Sequence, residues 1–307
     1  MFLATEFVES AGKGLSDSLA GVHAGWLVAA ILAHLSGQLC RGLAWRGVLS
    51  ASWPGVTRRR ACCWQLCGAG LSGILSGAGG DAVRAALAKR ELSGATWPAL
   101  AGTLVAEGSF EFVTGLGLAL VAISLGAAKL GAPGVLPVGV VLAALGVVTV
   151  LGSRLHAVRR VGVEVGRGIS VMRHPRDFLG HVLPWQITAR LVTLAAMGCF
   201  LRAFGLPVGP AVIIAASVVA GSGNLLPFGG GTAAAGAALL VAIPVAAGHP
   251  VDGNAVAALA LVRPAMLTVI GTAISLALLS KLYRVHSPRA LLRDARLPTA
   301  QEAVAAP

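Results

Sequence analysis

The sequence predicts an all-α, polytopic integral membrane protein. Of its 307 residues, 56% are hydrophobic and only 12% are charged, and the mean hydropathy is +0.82. This composition lies far outside the range of soluble globular domains. The apolar residues fall into runs of roughly 20, the length of a membrane-crossing helix, and short basic clusters separate these runs.

A formal charge of +12 is also typical of nucleic-acid-binding proteins. The chain has only one Tyr, however, and its basic residues lie in separate clusters between apolar runs rather than in one patch. We therefore expect no nucleic-acid partner and attribute the charge to membrane topology.

Five apolar runs are predicted to cross the membrane, and two others are interrupted. The interrupted runs are Ala61–Leu87 and Leu206–Gly248, each with a glycine cluster near its middle. The first 20 residues begin with acidic rather than basic side chains, so we expect a polar or interfacial helix there and no cleavable signal peptide. The predicted crossings are Val22–Leu39, Pro98–Ala128, Pro133–Gly152, Pro184–Gly205 and Asn254–Leu282.

The two interrupted runs share a phrase, SGILSGAGG at Ser72–Gly80 and SGNLLPFGG at Ser222–Gly230. Non-helical backbone within a membrane persists only where it is buried in protein or lines a polar cavity, and glycine suits such turns. We interpret each run as a re-entrant helical hairpin. The alternatives are chance similarity in a chain with 41 glycines, or glycines that only let helices pack closely. The predicted hairpin glycines are Gly79, Gly80, Gly229, Gly230 and Gly231.

The charge distribution predicts an inverted-topology repeat. Basic residues collect on the cytoplasmic side of membrane proteins, and two re-entrant hairpins with five crossings place the four main basic clusters on one side. The N-terminus is then outside and the C-terminus cytoplasmic. We predict one membrane domain over residues 1–307, with repeat one at about 22–128, a connecting crossing at 133–152, a basic cytoplasmic loop at 154–183, repeat two at about 184–282 and a basic tail at 283–307. In such repeats, broken helices meet near the midplane and form the substrate site.

Asp81 and Arg84 follow the first glycine cluster, in GGDAVRAAL. Their i, i+3 spacing allows an ion pair, and Asp81 at the opening of a helix would cap it, leaving Arg84 to meet a phosphate. The alternative is an ordinary helix start at the cytoplasmic surface.

Four further charged residues are predicted to lie within the membrane. Glu107 and Glu111 are one helical turn apart in LVAEGSFEF, Arg190 lies in WQITARLV, and Arg263 lies in LALVRPAM. A charge at the bilayer centre costs about 2.5–3.5 kcal/mol even on the lenient insertion scale. These side chains are therefore either structural ion pairs or the lining of a polar cavity that holds a charged headgroup or relays protons.

No cofactor, metal site or catalytic motif is predicted. The five cysteines lie in or beside apolar runs without a metal-ligand spacing, so we interpret them as small packing residues. No metalloprotease, phosphate-loop or hydrolase motif is present in the sequence.

Several stretches resemble the bacterial flippase-like family related to the transmembrane domain of lysylphosphatidylglycerol synthases. They are LAWRGVL at Leu43–Leu49, GGDAVRAALAKRELSGATWPALAGTLVAEGSFEF from Gly79, LRAFGLP at Leu201–Pro207 and NLLPFGGG at Asn224–Gly231. The family's Glu-Arg pair reads Glu107-Gly108 here, its later Asp reads Glu111, and a small residue, Ala235 or Gly236, replaces a glutamate. The resemblance implies translocation of a phospholipid, a lipid-linked sugar or a hopanoid-type lipid across the bacterial cytoplasmic membrane.

The leading hypothesis is thus a lipid flippase or transporter-like protein, and not an enzyme. Its predicted substrate-binding residues are Asp81, Arg84, Glu107, Glu111, Arg190 and Arg263, and its partner is a membrane lipid with an anionic or phosphate-bearing headgroup. One alternative is a non-catalytic membrane partner that holds a cytoplasmic glycosyltransferase or lipid synthase through Arg154 to Arg176. Another is a membrane-embedded transferase with Asp81, Glu107 or Glu111 as base, but no metal or nucleotide-phosphate motif accompanies these carboxylates.

Overall fold

The computed structural model describes residues 20–75, 77–129, 175–222 and 231–284, and every regular element in these ranges is helical. The predicted crossing at 133–152, Gly229, Gly230 and the tail from residue 285 lie outside the described residues. So does most of the basic loop, including Arg154 and the residues up to 174.

The described helices fall into a long group and a short group. The long ones are α1 (Ala24–Ser50), α4 (Trp97–Lys129), α6 (Leu183–Ala203) and α9 (Gly253–Leu278), the last continued by a π-helical turn over Leu279–Tyr283. The short ones are α2 (Arg58–Leu75), α3 (Gly77–Glu91), α5 (Pro175–His181), α7 (Pro210–Ser222) and α8 (Gly231–Ala247).

Four stretches of the described chain are long and apolar enough to cross a membrane: Ala24–Ser50, Trp97–Ala122, Phe178–Ala203 and Gly253–Tyr283. At 1.5 Å per residue, 26 residues reach about 39 Å, more than the roughly 30 Å hydrocarbon layer. They coincide with four of the five predicted crossings. The all-helical, multi-pass membrane class is therefore confirmed.

The chain divides into two compact units. One comprises Gln38–Gly108, Arg154–Ile187 and Thr268–Pro307 and contains the short helices α2 and α3. The other comprises Met1–Gly37, Ser109–Ser153 and Thr188–Leu267 and contains α7 and α8. We call them the α2–α3 unit and the α7–α8 unit.

Aromatic packing and glycine contacts build the α2–α3 unit. Trp45 of α1 and Trp64 of α2 are fully buried and meet edge to face, with ring centroids 5.9 Å apart. The helices α2 and α3 pack at Gly68 and Gly80, where a Cβ on Gly68 would lie 2.7 Å from the carbonyl oxygen of Gly80. Small residues thus bring the backbones close enough for side chains on α3 to reach α1 and α4.

A second close approach joins α2 to the C-terminal part of α9. A Cβ at Gly70 would overlap the carbonyl oxygen of Gly271 and the hydroxyl of Ser275. Thr272 Oγ1 donates to the carbonyl of Gly70 at 3.1 Å, and Ser275 Oγ donates to that of Leu66 at 3.0 Å. Small and hydroxyl residues of this kind hold helices together in lipid, where apolar side chains gain little from association.

The core of the α7–α8 unit is mainly aliphatic, with two buried phenylalanines, Phe200 and Phe204. Phe200 and Leu201 of α6 are buried with Ile243 of α8 and Leu259 of α9. The helix α6 ends at Ala203, and Gly205 adopts a positive φ of 67° immediately beyond it. This is the left-handed conformation that glycine permits after a helix.

The helix α2 ends at Leu75 and α3 begins at Gly77, so Gly79 and Gly80 lie inside α3. Asp81 is therefore in the second turn of α3 and does not cap it, which corrects that expectation. The buried Gly80 makes a close helix contact instead, as the packing interpretation of these glycines predicts. The re-entrant hairpin at this glycine cluster stays a prediction.

We predict that Gly70→Ala destabilises the protein by about 1–3 kcal/mol, because the added methyl overlaps backbone as well as a side chain. Thermal unfolding in detergent measures the effect. The matched control is Gly117→Ala on α4, where no described residue outside the local helix backbone places an atom within 4 Å of the new methyl and helix propensity favours alanine. Equal unfolding temperatures for the two variants would contradict the close contact.

Candidate functional site

A buried ion pair forms the centre of the candidate site. Arg84 of α3 is 5% exposed and Glu107 of α4 is 2% exposed. The guanidinium Nη2 lies 2.8 Å from Glu107 Oε2. Glu107 was expected within the membrane, and the structure identifies its partner as Arg84, which lies 23 positions earlier in the printed sequence.

Asp81 contacts the same guanidinium from the same helix. Its Oδ1 lies 3.1 Å from Arg84 Nε, and its side chain is 55% exposed. The ion pair predicted from the i, i+3 spacing is therefore present, with one partner buried and the other open to the surroundings.

An amide pair supplies the third contact. Arg84 Nη1 donates to Gln65 Oε1 of α2, and Gln65 Nε2 donates to Gln38 Oε1 of α1 at 3.1 Å. Gln65 is buried and Gln38 is partly exposed. Arg84 thus has a protein partner at each nitrogen, and a phosphate would reach it only by replacing one of them. The predicted contact of Arg84 with a phosphate stays a prediction.

Trp45 completes the site by covering one face of the guanidinium. The Arg84 Cζ lies 4.9 Å from the centroid of a Trp45 ring, within the range of a cation–π interaction. Trp45 Nε1 donates to Thr103 Oγ1 at 3.1 Å, and Thr103 is one turn before Glu107 on α4. The four helices α1 to α4 therefore each contribute to holding Arg84.

We call this set the Arg84 cluster: Gln38, Trp45, Gln65, Asp81, Arg84, Thr103 and Glu107. Sequence analysis did not single out Gln38, Gln65, Thr103 or Trp45 as site residues. Gln65 carried a usable signal, since it is an amide surrounded by apolar residues in CCWQLC. Trp45 lies in the LAWRGVL stretch that resembles the family, although its contact with Arg84 depends on tertiary structure.

The other predicted site residues lie in the α7–α8 unit. Arg190 Nη2 donates to the backbone carbonyl of Glu111 at 3.3 Å and to Thr114 Oγ1 at 3.2 Å. Arg263 lies over the ring of Phe200, with Cζ 5.7 Å from its centroid. The Nε of Arg263 is buried, and within the described part of the chain it has no hydrogen-bond partner.

The cavity predicted to be lined jointly by Glu107, Glu111, Arg190 and Arg263 draws its residues from both units, and it stays a prediction. Glu107 belongs to the Arg84 cluster of the α2–α3 unit, whereas the other three lie in the α7–α8 unit. Within the described ranges, no group of three or more His, Cys, Asp or Glu side chains is arranged to hold a metal ion. The five cysteines are free thiols, with Cys67 buried and the others partly buried.

We predict that Arg84→Met destabilises the protein by about 3–5 kcal/mol, because it leaves the Glu107 carboxylate buried without its cation. The double variant Arg84→Met/Glu107→Gln should recover much of the loss. Detergent-based thermal unfolding of the single and double variants provides the measurement.

The control for this cycle is Asp81→Asn, which removes the exposed partner and should cost less than about 1 kcal/mol. If the stability loss of the double variant equals the sum of the losses of the Arg84 and Glu107 single variants, the two side chains are not coupled.

A comparison with protein-family models matches residues 7–275 to the family described as the lysylphosphatidylglycerol synthase TM region. No curated protein and no solved structure gives a significant match. The match covers most of the chain, including the Arg84 cluster and the long helices. The chain is a membrane protein that belongs to the lysylphosphatidylglycerol synthase TM region family.

Proposed function

We propose that this protein moves a phosphate-bearing lipid across the bacterial cytoplasmic membrane. The single observation that carries the proposal is the buried Arg84–Glu107 ion pair. Ionisable residues within membrane domains are costly, and in transport proteins they mark substrate or proton pathways. Membership of a lipid-related membrane family supports a lipid as the substrate.

The proposed architecture is an inverted repeat with two re-entrant hairpins, five crossings, an outside N-terminus and a cytoplasmic C-terminus. Helix lengths support the first hairpin: α2 and α3 have 18 and 15 residues, fewer than the roughly 20 that span a bilayer. In each unit two consecutive helices pack against each other, α2 with α3 and α7 with α8, which supports the repeat.

In the proposed cycle, a lipid phosphate replaces Glu107 as the partner of Arg84. Arginine suits this exchange because its planar guanidinium donates paired hydrogen bonds to carboxylate or phosphate oxygens in the same geometry. Gln65 and Trp45 hold the guanidinium while its anionic partner changes. The displaced Glu107 carboxylate is buried, so it takes up a proton rather than remain charged without a cation. Lipid binding and proton uptake are thereby coupled.

The cations of the α7–α8 unit are proposed to contact the headgroup at another stage of transport. Arg263 supports this role because its Nε lacks a hydrogen-bond partner in the described chain and its guanidinium lies over the Phe200 ring. Arg190 lies beside the backbone of Glu111 and Thr114, so Glu111 is proposed to balance the charge there. The proposal assigns no catalytic step to the chain.

Lipid translocation in reconstituted vesicles tests the proposal. The protein is placed in vesicles with fluorescent phosphatidylglycerol, and a membrane-impermeant quencher reports the lipid that changes leaflet. We expect Glu107→Gln to lower the initial rate by at least tenfold, about 1.4 kcal/mol, and to flatten its pH dependence, because the amide cannot accept the proton.

The matched control is Arg60→Gln, which removes an exposed charge from the same unit at the Arg60–Glu91 ion pair, 2.8 Å long. This variant should keep the wild-type rate. Wild-type translocation by Glu107→Gln, or none above protein-free vesicles by the unaltered protein, would overturn the proposal.

A further inference from the structure

A second cationic site lies in the α7–α8 unit, outside the Arg84 cluster. It is an open cavity of about 520 Å³ lined by His23, Trp26, Arg202, Gly205, Leu206 and Val208. The cavity lies where the segment preceding α1 meets the end of α6. None of the six lining residues is acidic.

The cation of this cavity is held on an aromatic ring. The Cζ of Arg202 lies 5.2 Å from the centroid of a Trp26 ring, and Trp26 is 42% exposed. Arg202 is also exposed, in the last turn of α6. The guanidinium therefore lies over the ring, and its N–H groups are of the kind that bind phosphate in pairs.

Backbone hydrogen bonds fix the cavity wall. The N–H of His23 donates to the carbonyl of Ala203 at 2.9 Å, and that of Leu206 donates to Leu201 at 2.9 Å. The positive φ of Gly205 lets the chain turn sharply between these contacts. Trp26 and Arg202 are therefore placed by the joined ends of two helices and not by a long loop.

The position of the cavity along the helices indicates which anion is available. Trp26 lies near the start of the candidate span Ala24–Ser50, and Arg202 lies near the end of the candidate span Phe178–Ala203. The ends of spans lie at the membrane–water interface, where tryptophan and arginine are favoured and lipid headgroups are concentrated. Val208, which also lines the cavity, is apolar and 43% exposed. Its side chain suits contact with the part of an acyl chain nearest the headgroup.

We propose that this cavity binds the phosphate of an anionic phospholipid at the membrane surface. Arg202 binds the phosphate oxygens, Trp26 supports the guanidinium from behind, and Val208 contacts the glycerol and acyl region. The site is separate from the Arg84 cluster and requires no lipid movement, so it stands or falls independently of the transport proposal.

Photo-cross-linking from the cavity wall tests this site alone. The full chain carrying Val208→p-benzoylphenylalanine is placed in vesicles of phosphatidylglycerol mixed with a neutral diglucosyl diacylglycerol, which lacks phosphate. After irradiation, mass spectrometry gives the ratio of the two lipid adducts. We expect phosphatidylglycerol to be enriched at least fivefold over its share of the vesicle lipid.

Two substitutions of Arg202, each combined with the Val208 derivative, test whether this arginine causes the enrichment. Arg202→Gln should reduce the adduct ratio to that of the vesicle, whereas Arg202→Lys, which keeps the charge, should retain part of the enrichment. The matched control is Arg284→Gln, an exposed arginine just beyond another candidate span, and it should leave the ratio unchanged. Gel filtration checks that each variant is folded. Because both arginines are exposed, we expect neither substitution to disturb the fold.

Three results would overturn the proposal. The first is an adduct ratio equal to that of the vesicle in the Val208 derivative. The second is enrichment that persists in Arg202→Gln or is lost equally in Arg284→Gln. The third is loss of the enrichment in 10 mM inorganic phosphate, a concentration on the order of a weak site's dissociation constant. The site would then bind free phosphate rather than a lipid.

Discussion

The Arg84–Glu107 ion pair is the interaction around which the α2–α3 unit is arranged. Two opposite charges 2.8 Å apart attract strongly where the dielectric constant is low, but removing both from water costs several kcal/mol for each ion. The pair is tolerable only if the remaining donors and acceptors are satisfied. Arg84 contacts Gln65, Asp81 and the ring of Trp45. One buried charge therefore requires polar or aromatic side chains at these three positions.

These contacts depend on glycine as much as on the polar residues themselves. Gly68 and Gly80 let α2 and α3 approach until a Cβ would collide with the opposite backbone. Gln65 lies one turn before Gly68, and Arg84 lies one turn after Gly80, so the close contact brings the amide and the guanidinium within hydrogen-bonding distance. Gly68 and Gly80, the second of which belongs to the repeated phrase, therefore let the two helices approach closely enough for the Arg84 contacts to form.

The features that sequence analysis predicted correctly are those set by local chemistry. Hydrophobic length identified four crossings that the structure describes, because a helix in lipid must bury its backbone groups within itself. The i, i+3 rule identified the contact of Asp81 with Arg84. The contact of Glu107 with Arg84 and the contacts of Gln65 and Trp45 were not predicted, since they depend on how four helices, α1 to α4, meet. The helix start at Gly77 was also missed, because glycine is compatible with both a helix and a break.

Each nitrogen of Arg84 already contacts a protein side chain, so any mechanism in which Arg84 binds an anion must first replace one of these contacts. An arginine with an unoccupied face binds an anion directly, whereas one already paired with a buried carboxylate binds an anion only by exchange. Exchange leaves the carboxylate either exposed by movement or neutralised by a proton, and Glu107 is on the interior of the α2–α3 unit, 2% exposed. Protonation in place therefore requires the smaller rearrangement. Asp81, the other carboxylate paired with Arg84, is 55% exposed. In the proposed exchange, an incoming phosphate would therefore meet the guanidinium from the side of Asp81, whose negative charge would also have to be offset. A headgroup that carries its own cation satisfies this requirement better than one that is purely anionic, because the cation pairs with Asp81 while the phosphate pairs with Arg84.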